Sequence, residues 1–175
     1  MEQYKEALLR EIDARRAFLM RCAEPATLYI GGGTPSLCPA EWLAEIISAV
    51  RNAGGKAGEL RELTVEVNPD DVTPEYALGL HRLGVNRVSM GVQSFSDVSL
   101  RWMNRRHTAA GAREAYRMLR EAGFDNISLD LIFGYDPVPW GAPATPRDLL
   151  MQQWREDLEQ MLHLRPEHIS AYQMG

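Results

Sequence analysis

The sequence predicts an α/β fold in which about five parallel strands with outer helices form part of a (β/α) barrel. Two observations carry this. Strand-like and helix-like patterns take turns along most of the chain, and such regular alternation gives parallel sheets with right-handed crossovers, wound either doubly or into a barrel. The strands also carry polar residues at every second position, so one face of the sheet is hydrophilic. With 175 residues, the chain is of a size that buries about 70% of its unfolded surface. One domain over residues 1–175 follows.

The elements can be justified in order. From Tyr4 to Met20 the apolar Tyr4, Leu8, Ile12 and Leu19 recur among charges at roughly helical spacing, and Pro25 closes that amphipathic helix. Thr27–Ile30 is a short apolar strand ended by Gly31, Gly32 and Gly33. A helix from about Pro39 to Asn52 gathers Trp42, Leu43, Ile46, Ile47 and Val50 on one side, and Gly54 and Gly55 stop it. Further strands fall at Glu62–Asn68, Arg87–Gln93, Asn126–Phe133 and His168–Tyr172, with helices between them. Thr73 before Pro74 is an N-cap with proline at the first helical position, and Thr108 caps the helix ending near Gly123. Tyr135 to Arg147 breaks the rhythm: its prolines, crowded around Trp140, make a long loop or an insertion at the end of a strand.

Strands of a parallel sheet covered on both sides read as continuous apolar runs. These do not. Thr64, Glu66 and Asn68 alternate with Leu63, Val65 and Val67; Arg87, Ser89, Gly91 and Gln93 alternate with Val88, Met90 and Val92; Ser128 and Asp130, then Ser170 and Tyr172, continue the series. If helices cover the apolar face, the polar groups converge on the other, and a polar interior is costly without partners. That face is expected to hold a ligand near the carboxyl ends of the strands. The competing arrangement, an antiparallel sheet with one solvated face, does not suit strands joined by crossover helices. Gly31-Gly32-Gly33-Thr34 lets backbone approach a ligand without an intervening Cβ, although glycine runs also simply make turns. Neither GxGxxG nor GxxxxGK[ST] occurs here, so Walker-type mononucleotide binding is not supported.

Composition excludes more than it identifies. A net charge of −5 with interleaved signs argues against nucleic acid as a partner. No transmembrane segment and no signal peptide are evident, which sets a cytoplasmic expectation. The two cysteines, Cys22 and Cys38, suggest neither a disulfide framework nor a metal site. His107, alone at a helix start, reads as a capping or packing residue rather than a metal ligand.

The ordered series Tyr29-Ile-Gly-Gly-Gly-Thr-Pro-Ser36, Val65-Glu-Val-Asn-Pro69, Val85 to Phe95, Asn104-Arg-Arg-His-Thr108 and Leu129-Asp-Leu-Ile-Phe-Gly134 resembles the oxygen-independent coproporphyrinogen III oxidase family of radical S-adenosylmethionine (SAM) proteins. Gln93-Ser-Phe95, Arg106-His-Thr108 and His168-Ile-Ser-Ala-Tyr172 resemble its HemW-like heme-chaperone branch more than the true oxidase of porphyrin biosynthesis, which is the alternative. The resemblance implies a radical SAM barrel. It further implies that Gly32, Gly33 and Thr34 hold the amino-acid end of SAM, and that Glu66, Gln93, Arg105 and Asp130 line the same site. Arg106, beside Arg105, is a rival for its role.

In the intact protein the resemblance implies a [4Fe-4S] cluster that cleaves SAM reductively, heme or porphyrinogen as a further ligand, and a heme-accepting respiratory protein as partner. The family's first strand and CxxxCxxC segment are not in this sequence, and two cysteines do not replace three thiolates. The expectation is therefore a core barrel incomplete at both ends, without the C-terminal domain, inactive by itself and with no catalytic residue assigned. It leaves an exposed edge beside Thr27–Ile30 for another chain or the N-terminal helix to cover. The family has a short loop after Gly134, where this chain has a longer one. A generic barrel enzyme using Glu66 and Asp130 as acid and base is a third reading.

Overall fold

A computed structural model describes residues 2–21, 27–54, 60–139 and 141–174. Its elements run α1 (Glu2–Ala14), α2 (Arg16–Leu19), β1 (Thr27–Ile30), α3 (Ala40–Ala53), β2 (Glu62–Val67), α4 (Pro74–Arg82), β3 (Arg87–Gln93), α5 (Asp97–Trp102), α6 (Ala109–Glu121), β4 (Ile127–Phe133), α7 (Arg147–Leu164) and β5 (His168–Gln173). The five strands form one parallel sheet in sequential order, β1 to β5, with Thr27 opposite Glu62 and Thr64 opposite Arg87. The described sheet is open, with β1 and β5 at its edges.

The two faces differ as the alternation requires. Leu63, Val65 and Val67 of β2, Val88, Met90 and Val92 of β3, and Ile127, Leu129 and Leu131 of β4 are all buried. They form one core with Leu43 and Ile47 of α3, Leu80 of α4, Leu119 of α6 and Met161 of α7. Removing apolar surface from water on this side is the main stabilising term, about 1.5–3 kcal/mol for each large side chain fully buried. The opposite face presents Thr64, Glu66, Ser89, Ser128 and Asp130. Thr64 donates to Glu62 Oε1 at 2.9 Å, and the Ser128 and Ser170 hydroxyls meet at 3.5 Å.

Caps and turns sit where the residues place them. Thr73 Oγ1 accepts from Tyr76 N, and Thr108 Oγ1 from Gly111 N, each at 3.1 Å. Gly84 and Gly123 take positive φ after α4 and α6, where an L side chain is strained. The N-terminal segment breaks into two helices at Arg15 and Tyr4 stays exposed, so the expected four-residue stripe is only partly realised. Lys5 Nζ donates to Glu45 at 2.7 Å and lies 5.1 Å from the centre of the Trp42 ring, which seats α1 along α3. Pro25, Gly55, Cys22 and Trp140 lie outside the described residues.

Candidate functional site

The carboxyl ends of β1 to β4 frame a polar cleft of about 170 Å3 on the hydrophilic face. Gly33, Thr34, Glu66, Gln93, Arg105 and Asp130 line it, and Gly32 joins through its N–H, which donates to Glu66 Oε2 at 2.9 Å. All seven residues singled out from the sequence are therefore brought together.

Local backbone geometry explains how. Gly32 and Gly33 have φ of 81° and 61°, and a Cβ added to either would meet nothing within 4 Å. The turn after β1 thus needs a left-handed backbone and leaves open space above it. Gln93 also has a positive φ, 69°, unusual for a residue with a side chain. It follows a register shift between Met90 and Gln93 in the β3–β4 pairing, a bulge that re-aims the end of the strand. Gly91 makes room for the result: a Cβ there would lie 2.5 Å from Gln93 Nε2.

Two carboxylates set the charge of the cleft. Glu66 accepts from the Tyr29 hydroxyl at 2.6 Å and from Gly32 N. Burial and the bond to Glu66 push the Tyr29 hydroxyl up to about 12, so it stays protonated and serves as a donor. Burial, with the nearby Glu66 charge, holds Asp130 above the usual carboxylate range; the Ser170 and Ser89 hydroxyls and Arg87 act in the opposite direction. Asp130 Oδ1 is buried and has no hydrogen-bond partner among the described residues. Such an oxygen costs free energy unless a donor reaches it.

The two neighbouring arginines separate cleanly. Arg105 lines the cleft and forms no ion pair among the described residues. Arg106 turns away to Asp71 at 3.2 Å and Asp70 at 3.7 Å. His107 is buried with Nε2 at 2.9 Å from the Val92 carbonyl, a packing role next to the β3 bulge. Tyr29 and Ser89 were missed as site residues; both occupy the same alternating face as Glu66, which was the available signal. Ser36 was missed as well. Its hydroxyl donates to Asp71 at 2.6 Å and accepts from Asn68 N at 3.1 Å, tying the turn after β1 to the end of β2.

A donor and acceptor set of this kind suits a compact zwitterion with hydroxyls. Carboxylates accept from an ammonium or a sugar diol, and a guanidinium forks onto a carboxylate. The open glycine turn, the orphaned Asp130 oxygen and the unpaired Arg105 all fit SAM. A four-iron cluster does not fit what this chain offers: it needs three convergent thiolates, the sequence holds two cysteines, and Cys38 is half-buried.

Comparison with known proteins gives the same family. A family model described as the Radical SAM superfamily matches residues 4–143. The heme chaperone HemW of Lactococcus lactis is 33% identical over 99% of this chain and 41% of its own length. The oxygen-independent coproporphyrinogen III oxidase of Paracoccus denitrificans is 29% identical over 97% of this chain and 35% of its own. Among solved structures, coproporphyrinogen III oxidase (HemN) of Escherichia coli, described as a radical SAM enzyme, superposes with a TM-score of 0.81 at 26% identity. It covers 99% of this chain and 37% of that one. The chain thus spans about two-fifths of the length of the relatives it matches.

Proposed function

The chain belongs to the radical SAM superfamily, and on that premise we propose that it is the SAM-binding core of a HemW-like heme chaperone. The observation that carries the SAM assignment is the cleft itself, which Asp130, with its orphaned oxygen, and the unpaired Arg105 line together with an open glycine turn. Gly32, Gly33 and Thr34 hold the amino-acid end of SAM through backbone groups. Arg105 forks onto its carboxylate, while Glu66 and Asp130 accept from its ammonium and ribose hydroxyls, with Gln93 completing the wall.

Beside a reduced four-iron cluster, SAM supplies one-electron chemistry. This chain's own residues bind and orient SAM; Tyr29 keeps its proton and fixes Glu66, and Asp130 stays available as an acceptor. With two cysteines the chain by itself assembles no cluster of three protein thiolates and is inactive in reductive cleavage. In the whole protein, heme is the cargo, a respiratory protein its acceptor, and the cytoplasm the setting; no described helix is long and apolar enough to cross a membrane.

The chaperone reading is supported by the relatives bearing that name, at 33% identity against 29% for the oxidase. Titrating the whole protein with hemin by absorbance, and assaying coproporphyrinogen decarboxylation in parallel, separates the two. Saturable heme binding without decarboxylation is expected. Turnover of coproporphyrinogen would overturn the reading in favour of the oxidase.

A further inference from the structure

Gln93, at the carboxyl end of β3, sits in a backbone conformation that residues with a side chain seldom adopt. Its φ is 69°, and Ser94 N donates to the Val92 carbonyl at 2.9 Å across it, closing a three-residue turn of the strained hand. A residue held in this way persists only where its surroundings over-determine it. Two braces do so. After the turn, Asp157 accepts from Ser94 Oγ and Phe95 N. Before it, His107 Nε2 lies 2.9 Å from the same Val92 carbonyl. A carbonyl oxygen only accepts, so Nε2 carries the proton and donates.

His107 reaches that carbonyl from the stretch of chain that carries Arg105. The Arg105 N–H donates to the Leu100 carbonyl at 2.8 Å, after Asn104 has turned the chain out of α5 with a φ of 56°. The bond from His107 therefore closes residues 92–107 into one loop, with α5 inside it and with Gln93 and Arg105 near its two ends. The imidazole is 3% exposed, so solvent offers the Val92 carbonyl no substitute. Its other nitrogen, Nδ1, faces Asp70 Oδ2 at 3.9 Å, beside the Arg106 guanidinium that Asp70 and Asp71 hold. Three consecutive residues thus reach three parts of the molecule: Arg105 the cleft, Arg106 the turn after β2, and His107 the end of β3.

We infer that His107 is a positioning residue for the polar cleft. One buried hydrogen bond to the Val92 carbonyl sets Gln93 and Arg105 relative to each other, while His107 itself is absent from the cleft lining. Loss of the bond leaves that carbonyl with Ser94 N alone and lets the two walls shift independently. The consequence for ligand affinity rests on the reading of the cleft as a SAM site; the coupling of the two walls rests on the fold.

The test compares His107→Leu, which fills the space without a donor, with His107→Gln, whose side-chain amide places an N–H near the position of Nε2. Nitrogen–proton correlation spectra of the chain without SAM report the Gln93 side-chain amide and the Arg105 Nε–H. Both resonances shift in His107→Leu and return to near their wild-type positions in His107→Gln. Calorimetric titration of SAM follows the same order: affinity falls at least about tenfold in His107→Leu and stays within about threefold in His107→Gln. Thr108→Ala weakens the adjacent helix cap without touching the Val92 carbonyl, and moves neither resonance nor affinity. His107→Asn, whose amide stops short of the carbonyl, takes the place of His107→Leu should that variant lose the wild-type circular dichroism spectrum. Unmoved resonances in the folded variant without the donor, a shift of only one of them, no recovery in His107→Gln, or an equal effect in Thr108→Ala overturns the proposal, as does unchanged SAM affinity. A wild type that binds no SAM refutes the SAM reading instead, and the spectra alone then decide the role of His107.

Discussion

Asp130 illustrates how burial is written into the energetics of a single side chain. Burial raises its folded pKa above the unfolded value, so its contribution to stability is present below about 3.9 and is lost as pH rises through the folded value. Asp130→Asn is accordingly expected to melt higher than the wild type at neutral pH, with the gap closing as pH falls toward the unfolded value, by calorimetry across pH 3–8 (roughly spanning both forms). Gly91→Ala tests the cleft in another way. Its new methyl clashes with the far end of the Gln93 side chain and otherwise makes only an ordinary contact with Asn68 Oδ1, so the melting temperature changes little while Gln93 is displaced and SAM affinity falls, as read by calorimetric titration. At this scale the sequence made Glu66, Gln93 and Asp130 legible, because strand alternation assigns each to a face. It did not distinguish Arg105 from Arg106, since adjacent residues in a turn have no periodicity to separate them.

The strands and the long helices are legible as elements because hydrophobic spacing and capping agree; β1 and β3 span the residues their patterns predict, and Thr73 and Thr108 cap as their positions suggest. The six-residue α5 carries too short a pattern to stand out. Asp157 is the other hidden element-scale feature. At 1% exposure it accepts from Ser94 Oγ at 2.8 Å and Phe95 N at 2.7 Å, fastening α7 to the turn after β3. Burial holds it above the usual carboxylate range, partly offset by these bonds. Asp157→Ala removes the acceptor of Ser94 Oγ, Phe95 N and Gln153 Nε2 and is expected to cost about 2–4 kcal/mol in denaturant unfolding. Thr73→Ala, by contrast, removes one cap and costs about 1 kcal/mol in the same measurement.

For the molecule as a whole, the open sheet of five sequential parallel strands separates two faces: the apolar one forms one continuous core with the helices, and the other carries the polar cleft. That division was readable from alternation alone. An apolar cavity beside α7, lined by Phe133, Tyr135 and Trp154, was not, because it depends on how the loop from Tyr135 folds back onto Trp102, a tertiary contact without a sequence period. At this scale, reconstitution of the chain with iron and sulfide is expected to give no four-iron chromophore, checked by visible absorption. The proposed binding of SAM by the polar face is tested most directly by calorimetric titration of SAM into the wild type, Arg105→Gln and Arg106→Gln. One-site binding that weakens at least about tenfold in Arg105→Gln and stays within about twofold in Arg106→Gln is the expected result. Equal affinities in all three, or a loss confined to Arg106→Gln, would contradict it.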